Sequence, residues 1–332
     1  FYLVERNSLI RIGVLGTAKI AASSVIPALL QLTGEYELVG VAGRDVENTA
    51  KFCKQFNIQP FNGYAQLLNK NTIDAVYIPL PNALHLEWVK KALEAGIHVL
   101  VEKSLGCSFE EVKELNELAK KNKLVLIENF QFRFHSQLQK ITSMIQEGVI
   151  GELRCVRSSF GFPPFTDKSN IRYQKDLGGG AILDAAAYPV KIVQHFLGED
   201  IMVQAASSNF DSGLGVDTWG GAFLKQNSGN LFAEIAFGFD HFYQCNVELW
   251  GTPGKLYTNR ICTAPPGFVP TATLENKDGT TIITLDADNH FVKMLQHFYS
   301  LIVSENSAGL EEEYVANMNQ ARLLDELKLK SE

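Results

Sequence analysis

The chemistry on offer in this sequence sits in two pairs of side chains. Glu102 and Lys103 close the segment Ala95-Gly-Ile-His-Val-Leu-Val-Glu-Lys-Ser104, at the exit of a short apolar run from Val99 to Val101. The β-branched bias of that run and its bounding Gly96 mark a buried strand. In open parallel sheets ligands bind just beyond the carboxyl ends of the strands, so a lysine there meets a substrate where one on a helix face meets water. Asp184 and Tyr188 are spaced i, i+4 in the otherwise apolar stretch around Ala181 to Ala187, which puts both on one helix face, turned toward a buried cleft. A tyrosine, ordinarily titrating near about 10, gives up its proton when a nearby cation stabilises the phenolate, and Lys103 can supply that charge.

The elements that must position these groups fall into two styles. Leu9 to Leu15 is an apolar run followed by small residues and a helical pattern through Leu32. Strands are expected over 36–42, 75–80, 98–101 and 124–127, with a polar-faced helix over 46–56. Strands alternating with helices of this length form right-handed βαβ units and a parallel sheet. Beyond about residue 128 the pattern changes. Stretches such as 153–160 and 231–237 alternate apolar with polar, as in an antiparallel sheet with one side facing solvent or a partner. A chain of 332 residues, 46% apolar, divides into about two domains, here 1–128 and 129–332. The fold class expected is α/β: a Rossmann parallel sheet, then an α/β domain with an open, mainly antiparallel sheet.

The first strand ends in Gly13-Val-Leu-Gly16-Thr17-Ala18-Lys19-Ile20-Ala21. Gly16, Ala18 and Ala21 occupy the positions of the dinucleotide fingerprint GxGxxG/A, which needs a tight turn and a helix N-terminus against a pyrophosphate. Ala18 stands where the second glycine normally lies. At the end of the second strand, Val41-Ala-Gly43-Arg44-Asp45 has no strand-end acid for the adenosine ribose. Gly43 leaves room there, Arg44 offers a guanidinium fork to a 2′-phosphate, and Asp45 sits where it can cap the next helix. NADP(H) is therefore favoured over NAD(H). Further on, Asn170-Ile-Arg172-Tyr173 precedes Gly178-Gly179-Gly180, three glycines that allow close backbone packing at the start of the helix bearing Asp184 and Tyr188.

Composition excludes several classes. A net charge of −7 with 20% charged residues argues against nucleic acid or anionic membrane as partner. No apolar run approaches the roughly 20 residues that span a bilayer. The segment Phe1-Tyr-Leu-Val-Glu-Arg-Asn-Ser8 is broken by charge too early for a signal-peptide core, and its start at Phe suggests residues upstream. The cysteines Cys53, Cys107, Cys155, Cys245 and Cys262 are scattered and lack CxxC spacing, so they read as reduced thiols in a cytoplasmic protein with no metal site.

Taken together, the glycine turn with Ala-Lys-Ile-Ala, the segment Pro79-Leu-Pro81-Asn82-Ala-Leu-His85, the Glu102-Lys103 strand end and Gly-Gly-Gly-Ala-x-x-Asp184-x-x-x-Tyr188-Pro resemble the glucose–fructose oxidoreductase/inositol dehydrogenase family, also called Gfo/Idh/MocA. The resemblance covers nearly the whole chain. It implies nicotinamide-dependent hydride transfer on sugars or cyclic polyols and a homodimer or homotetramer formed through the open sheet. It implies cofactor contacts from Gly16, Thr17, Ala18, Lys19, Ile20, Arg44, Pro81, Asn82, His85, Glu102, Lys103, Gln131 and Arg172. Two positions depart from the family pattern. Ser104 replaces the proline of Glu-Lys-Pro, which often forms a cis bond there, and Tyr188 stands where many polyol dehydrogenases carry histidine. Tyrosine, together with Phe130-Gln131-Phe-Arg133-Phe-His135 and the Phe162-Pro-Pro-Phe stretch, is most similar to nucleotide-sugar 3-ketoreductases of deoxysugar biosynthesis.

Reducing a ketone takes a hydride from the nicotinamide and a proton for the developing alkoxide. Tyr188 or Lys103 can give that proton, and Asp184 can hydrogen-bond the sugar or orient Lys103. The expected activity is reduction of a keto group on a nucleotide-activated deoxysugar, with the ketone held between the two domains. The alternatives are an aldose or trans-diol dehydrogenase using the same residues, and a cofactor-binding protein without catalysis. Intact Lys103, Asp184 and Tyr188 weigh against the last.

Overall fold

The structure, a computed structural model, describes residues 9–304 and 306–331. The N-terminal segment 1–8 considered above lies outside them. The chain divides into two compact units, one of residues up to 106, 110–129 and 291–318, the other of 107–109, 130–290 and 319 onward.

The first unit is a six-stranded sheet ordered β3-β2-β1-β4-β5-β6, parallel throughout. Its strands are β1 (Ile10–Leu15), β2 (Tyr36–Gly43), β3 (Gln59–Asn62), β4 (Ala75–Ile78), β5 (His98–Glu102) and β6 (Leu126–Asn129). The helices between them are α1 (Ile26–Leu29), α2 (Val46–Lys54), α3 (Tyr64–Leu67), α4 (His85–Glu94) and α5 (Phe109–Asn122). β4 is wholly buried and in β5 only the two end residues reach solvent, as the continuous apolar runs of a doubly covered sheet require. β4 stops at Ile78, short of the expected Leu80, because Pro79 and Pro81 cannot donate to a ladder. β3 has no apolar signature in the sequence, since it is an exposed edge strand containing Pro60. Strand order reverses between β1 and β4, which sets the ligand crevice at the carboxyl ends of these central strands.

Residues 291–318 correct the contiguous division at 128/129. Helix α8 (His290–Val303), from Phe291 onward, and the first part of α9 (Ser307–Ser331) belong to the first unit. Tyr36 donates its hydroxyl to the Leu295 carbonyl at 2.6 Å. Asn116 and Asn317 donate to the Tyr314 and Leu126 carbonyls at 2.7 and 3.1 Å. The apolar stripe of a helix says that it is covered, not by which sheet.

The second unit carries an eight-stranded sheet, order β14-β13-β12-β11-β7-β10-β9-β8, whose neighbours are antiparallel except β7 with β10. Its strands are β7 (Leu153–Gly161), β8 (Ile201–Asp211), β9 (Val216–Gln226), β10 (Phe232–Gly238), β11 (Gln244–Gly251), β12 (Gly254–Asn259), β13 (Thr271–Asn276) and β14 (Gly279–Thr284). Helix α6 (Ser136–Gln146) precedes β7, and α7 (Ala187–Leu197) packs on β7 and β10, burying Val190 and Val193 with Ile235, Phe237, Val247 and Leu249. Trp219, Phe223 and Trp250 of the sheet are exposed, and Phe223 stacks on Phe232 at 5.2 Å. Arg157 bridges Glu234 and Glu248 at 2.8 and 3.5 Å, so the strands carry cross-strand ion pairs as well as exposed aromatics. No helix among the described residues is long and apolar enough to cross a membrane.

Candidate active site

In the first unit β1 hands over to Gly16, whose φ of +110° suits glycine and where a Cβ would lie 2.9 Å from Leu80. Its N–H donates to the Ala42 carbonyl at 2.8 Å, fixing the turn between β1 and β2. Thr17 and Lys19 are exposed, Ala18 and Ile20 half-buried, and Ala21–Val25 winds as a π turn straight into α1. The first amides of a helix have no intrahelical acceptor, so this turn presents donors to an anion. A tight glycine turn between a buried strand and a helix start fits a dinucleotide pyrophosphate, with Ala18 in the place of the second glycine.

At the end of β2, Arg44 is exposed, and its positive charge acts on the nearby Tyr64 phenol. Burial pushes that phenol up and Arg44 pulls it back down. Asp45 is committed elsewhere: its Oδ1 accepts the Asn48 N–H at 2.8 Å as the cap of α2. The space above Gly43 is filled by Thr49, whose hydroxyl donates to the Asp45 carbonyl at 2.6 Å. Gly43 therefore serves helix–strand packing, not room for a ligand.

Lys103 follows the last residue of β5, and its backbone is held on both sides. Glu102 accepts the Tyr77 hydroxyl at 2.6 Å and the Asn129 amide at 2.7 Å; burial pushes its carboxyl up against these donors. The Lys103–Ser104 peptide is cis without proline. Ser104 donates its N–H to Asn82 Oδ1 at 3.2 Å, a bond that proline cannot make. The Ser104 carbonyl lies 2.7 Å from His85 Nδ1, while His85 Nε2 lies 2.8 Å from the Leu80 carbonyl. Leu105 donates to the Glu128 carboxylate at 2.9 Å. His85 is wholly buried, and burial outweighs its two carbonyl neighbours, pushing it down to about 4. The direct cofactor contact expected of His85 is thus corrected: both ring nitrogens face backbone carbonyls, and with half-buried Asn82 beside Pro81 it braces the lysine's own segment.

In the second unit the three glycines each have a task. Gly178 turns at φ +73°; a Cβ on Gly179 would lie 2.6 Å from the Arg172 carbonyl, and one on Gly180, at φ +114°, would collide with Asp217. Gly180 donates to the Arg172 carbonyl at 3.0 Å, and Asp217 of β9 accepts the Ile182 N–H at 2.5 Å. Burial pushes the Asp217 carboxyl up. The capped segment runs as one π turn, Ile182–Ala186, into α7. Tyr188 is half-buried, its ring 4.4 Å from Phe160, 5.9 Å from Phe130 and 6.1 Å from Phe132. Arg172 Nε donates to Asp184 Oδ2 at 2.5 Å, and the guanidinium lies 5.1 Å over Phe165 and 5.7 Å over Phe162. Arg172, expected among the cofactor contacts, is thus the partner of Asp184. Gln131 is buried and donates to the Cys262 carbonyl at 3.4 Å. The sequence did not single out Tyr64, Tyr77, Glu128 or Asp217. An acid inside a strand pattern, as in Val216-Asp217-Thr218, is the one local signal for any of them.

A parallel sheet with a glycine turn after its central strand, a braced lysine beyond β5, and a second sheet whose covering helix bears aspartate and tyrosine define a two-domain, dinucleotide-binding oxidoreductase. The chain belongs to the Gfo/Idh/MocA family: its model for an oxidoreductase family with an NAD-binding Rossmann fold matches residues 10–130, and the GFO/IDH/MocA C-terminal domain matches residues 138–257. The chain is 36% identical over 320 residues to a dTDP-3,4-didehydro-2,6-dideoxy-alpha-D-glucose 3-reductase from Actinomadura kijaniata, covering 96% of this chain and 95% of the relative. A protein of the same name from Saccharopolyspora spinosa is 38% identical over 289 residues, covering 87% and 86%. A solved 3-ketoreductase from Actinomadura kijaniata, in complex with NADP and TDP-benzene, superposes with a TM-score of 0.92 at 35% identity, covering 97% and 98%.

Proposed function

We propose that this protein reduces the 3-keto group of a dTDP-activated 2,6-dideoxysugar with NADPH. Similarity to dTDP-sugar 3-reductases along 96% of the chain carries this reading, because it extends through both the Lys103 and the Tyr188 segments. When bound, the nicotinamide supplies the hydride. The Gly16–Ile20 turn would hold the cofactor's pyrophosphate through backbone amides, and Arg44 would take its 2′-phosphate. Asn82 and His85 keep Lys103 in place, and its ammonium stabilises the developing alkoxide electrostatically. Tyr188 donates the proton from its hydroxyl, a positioned acid worth about 10²–10⁴-fold. Phe130, Phe132 and Phe160 exclude water around it.

The exposed Trp219, Phe223 and Trp250 support a dimer or tetramer formed through the second sheet. Light scattering that finds a monomer at micromolar concentration would contradict that part. The scattered free thiols support a cytoplasmic location.

The deciding assay follows NADPH loss with an enzymatically generated dTDP-3-keto-2,6-dideoxysugar, beside NADP⁺ reduction with free aldoses and trans-diols. Turnover of the keto sugar with product reduced at C3 is the expected result. Turnover of only the free aldoses or diols would replace the proposal with the dehydrogenase reading, and turnover of none would leave a cofactor-binding protein.

A further inference from the structure

Arg172 reaches the helix of Tyr188 because the glycine triplet lets its loop pack against the start of that helix, with Gly180 N–H on the Arg172 carbonyl at 3.0 Å. Its Nε is bound to Asp184, and its face is shared between Phe165 and Phe162. From there a chain of rings leads to the tyrosine: Phe162 lies 5.9 Å from Phe160, and Phe160 lies 4.4 Å from Tyr188. Asp184 precedes Tyr188 by one helical turn. A carboxylate so placed opposes departure of the tyrosine proton, whereas a guanidinium, which never loses its charge in a protein, favours it. We infer that Arg172 is a positioning residue for proton transfer: it neutralises Asp184 and supplies, within the second unit itself, the positive charge that stabilises Tyr188 as its proton leaves.

The inference rests on Tyr188 being the proton donor of the proposed reduction. Arg172 and Tyr188 lie within electrostatic range of one another. Also facing Tyr188 are the rings of Phe130, Phe132 and Phe160. Lys191, on the next turn of α7, holds its ammonium 5.4 Å from the Phe130 centroid. Lys191 stays in place in every variant below, so its charge cancels from the comparison.

The two members of the pair should act in opposite directions. Reduction needs Tyr188 protonated, so its rate falls as pH rises through the tyrosine's titration. Arg172→Gln removes the positive charge bound to Asp184 and should move that fall upward by roughly one pH unit. Asp184→Asn leaves Arg172 uncompensated and should move it downward by roughly one unit. Arg172→Lys should restore the parent position. A residue that merely shapes the loop would lower the rate without moving the profile.

The test measures Tyr188 directly as well as through activity. Phenolate absorbance is titrated in the parent and each variant, and the matching protein with Tyr188→Phe is subtracted, which isolates one tyrosine. Opposite displacements for Arg172→Gln and Asp184→Asn support the inference. Coincident titrations, or displacement of both in one direction, overturn it. Near-ultraviolet circular dichroism establishes that each variant is folded; if Arg172→Gln is not, Asp184→Asn decides, a downward shift supporting and an unmoved titration refuting. Should the phenolate titrations separate as expected while no protein reduces the keto sugar, the proposed substrate fails and the electrostatic role of Arg172 stands.

Discussion

Cofactor preference should depend on Arg44 and hardly at all on its neighbour Asp45. Arg44 is exposed at the end of β2, where the proposed reading has the adenosine 2′-phosphate bind. Asp45 would disfavour that phosphate if its carboxylate faced the ribose, but one oxygen is occupied by the Asn48 N–H at 2.8 Å. A hydrogen bond to a charged group contributes about 1.5–3 kcal/mol, and exposure to solvent places Arg44 near the lower end. The parent should therefore bind NADP at least about tenfold more tightly than NAD, and Arg44→Ala should remove most of that margin while leaving NAD affinity within about threefold. Raising salt should erode the NADP preference of the parent but not the residual affinity of the variant. Asp45→Ala should instead lower unfolding stability by about 0.5–2 kcal/mol through the lost cap of α2, with the cofactor ratio unchanged. Isothermal calorimetry with both cofactors on the three proteins checks this. Equal dissociation constants for NADP and NAD in the parent, or a reversal of preference by Asp45→Ala, would refute the assignment.

Two further outcomes follow from the braced lysine and the half-buried tyrosine. His85 is held by burial at about 4 in the folded chain, against an ordinary 6.5 when unfolded, so the stability it lends is complete above pH 6.5 and is lost as pH falls toward 4. Urea unfolding at pH 5 should show a stability lower by on the order of 2 kcal/mol than at pH 7 from this residue, and His85→Gln should flatten that dependence; the same slope in both proteins would contradict it. Tyr188→Phe should lower kcat by about 10²–10⁴-fold with NADP affinity unchanged, and combining it with Lys103→Ala should cost much less than the product of the separate losses. Full kcat in Tyr188→Phe would leave the proton to Lys103.

What the sequence announces and what it conceals divide along a physical line. Short apolar runs bounded by glycine or proline are the pattern of strands buried on both faces, so β1, β4 and β5 are legible, and with them the strand ends where Gly16 and Lys103 lie. Glycines announce a steric demand without saying what makes it: Gly43 yields to Thr49, Gly179 to the Arg172 carbonyl and Gly180 to Asp217. Polar partners are hidden for a different reason. A hydrogen bond between residues far apart in the chain leaves no period or spacing behind, so nothing near Asp184 names Arg172, and nothing near Ser104 says that its N–H is taken by Asn82. The serine shows why this matters for function. Read alone, its replacement of proline leaves the geometry of the lysine's loop open; in the fold, Asn82 takes its N–H and His85 faces its carbonyl, so the departure brings its own restraint. Asn82 and His85, which the resemblance places among the cofactor contacts, are engaged instead by the backbone of Ser104 beside Lys103, and Arg172 is engaged by Asp184.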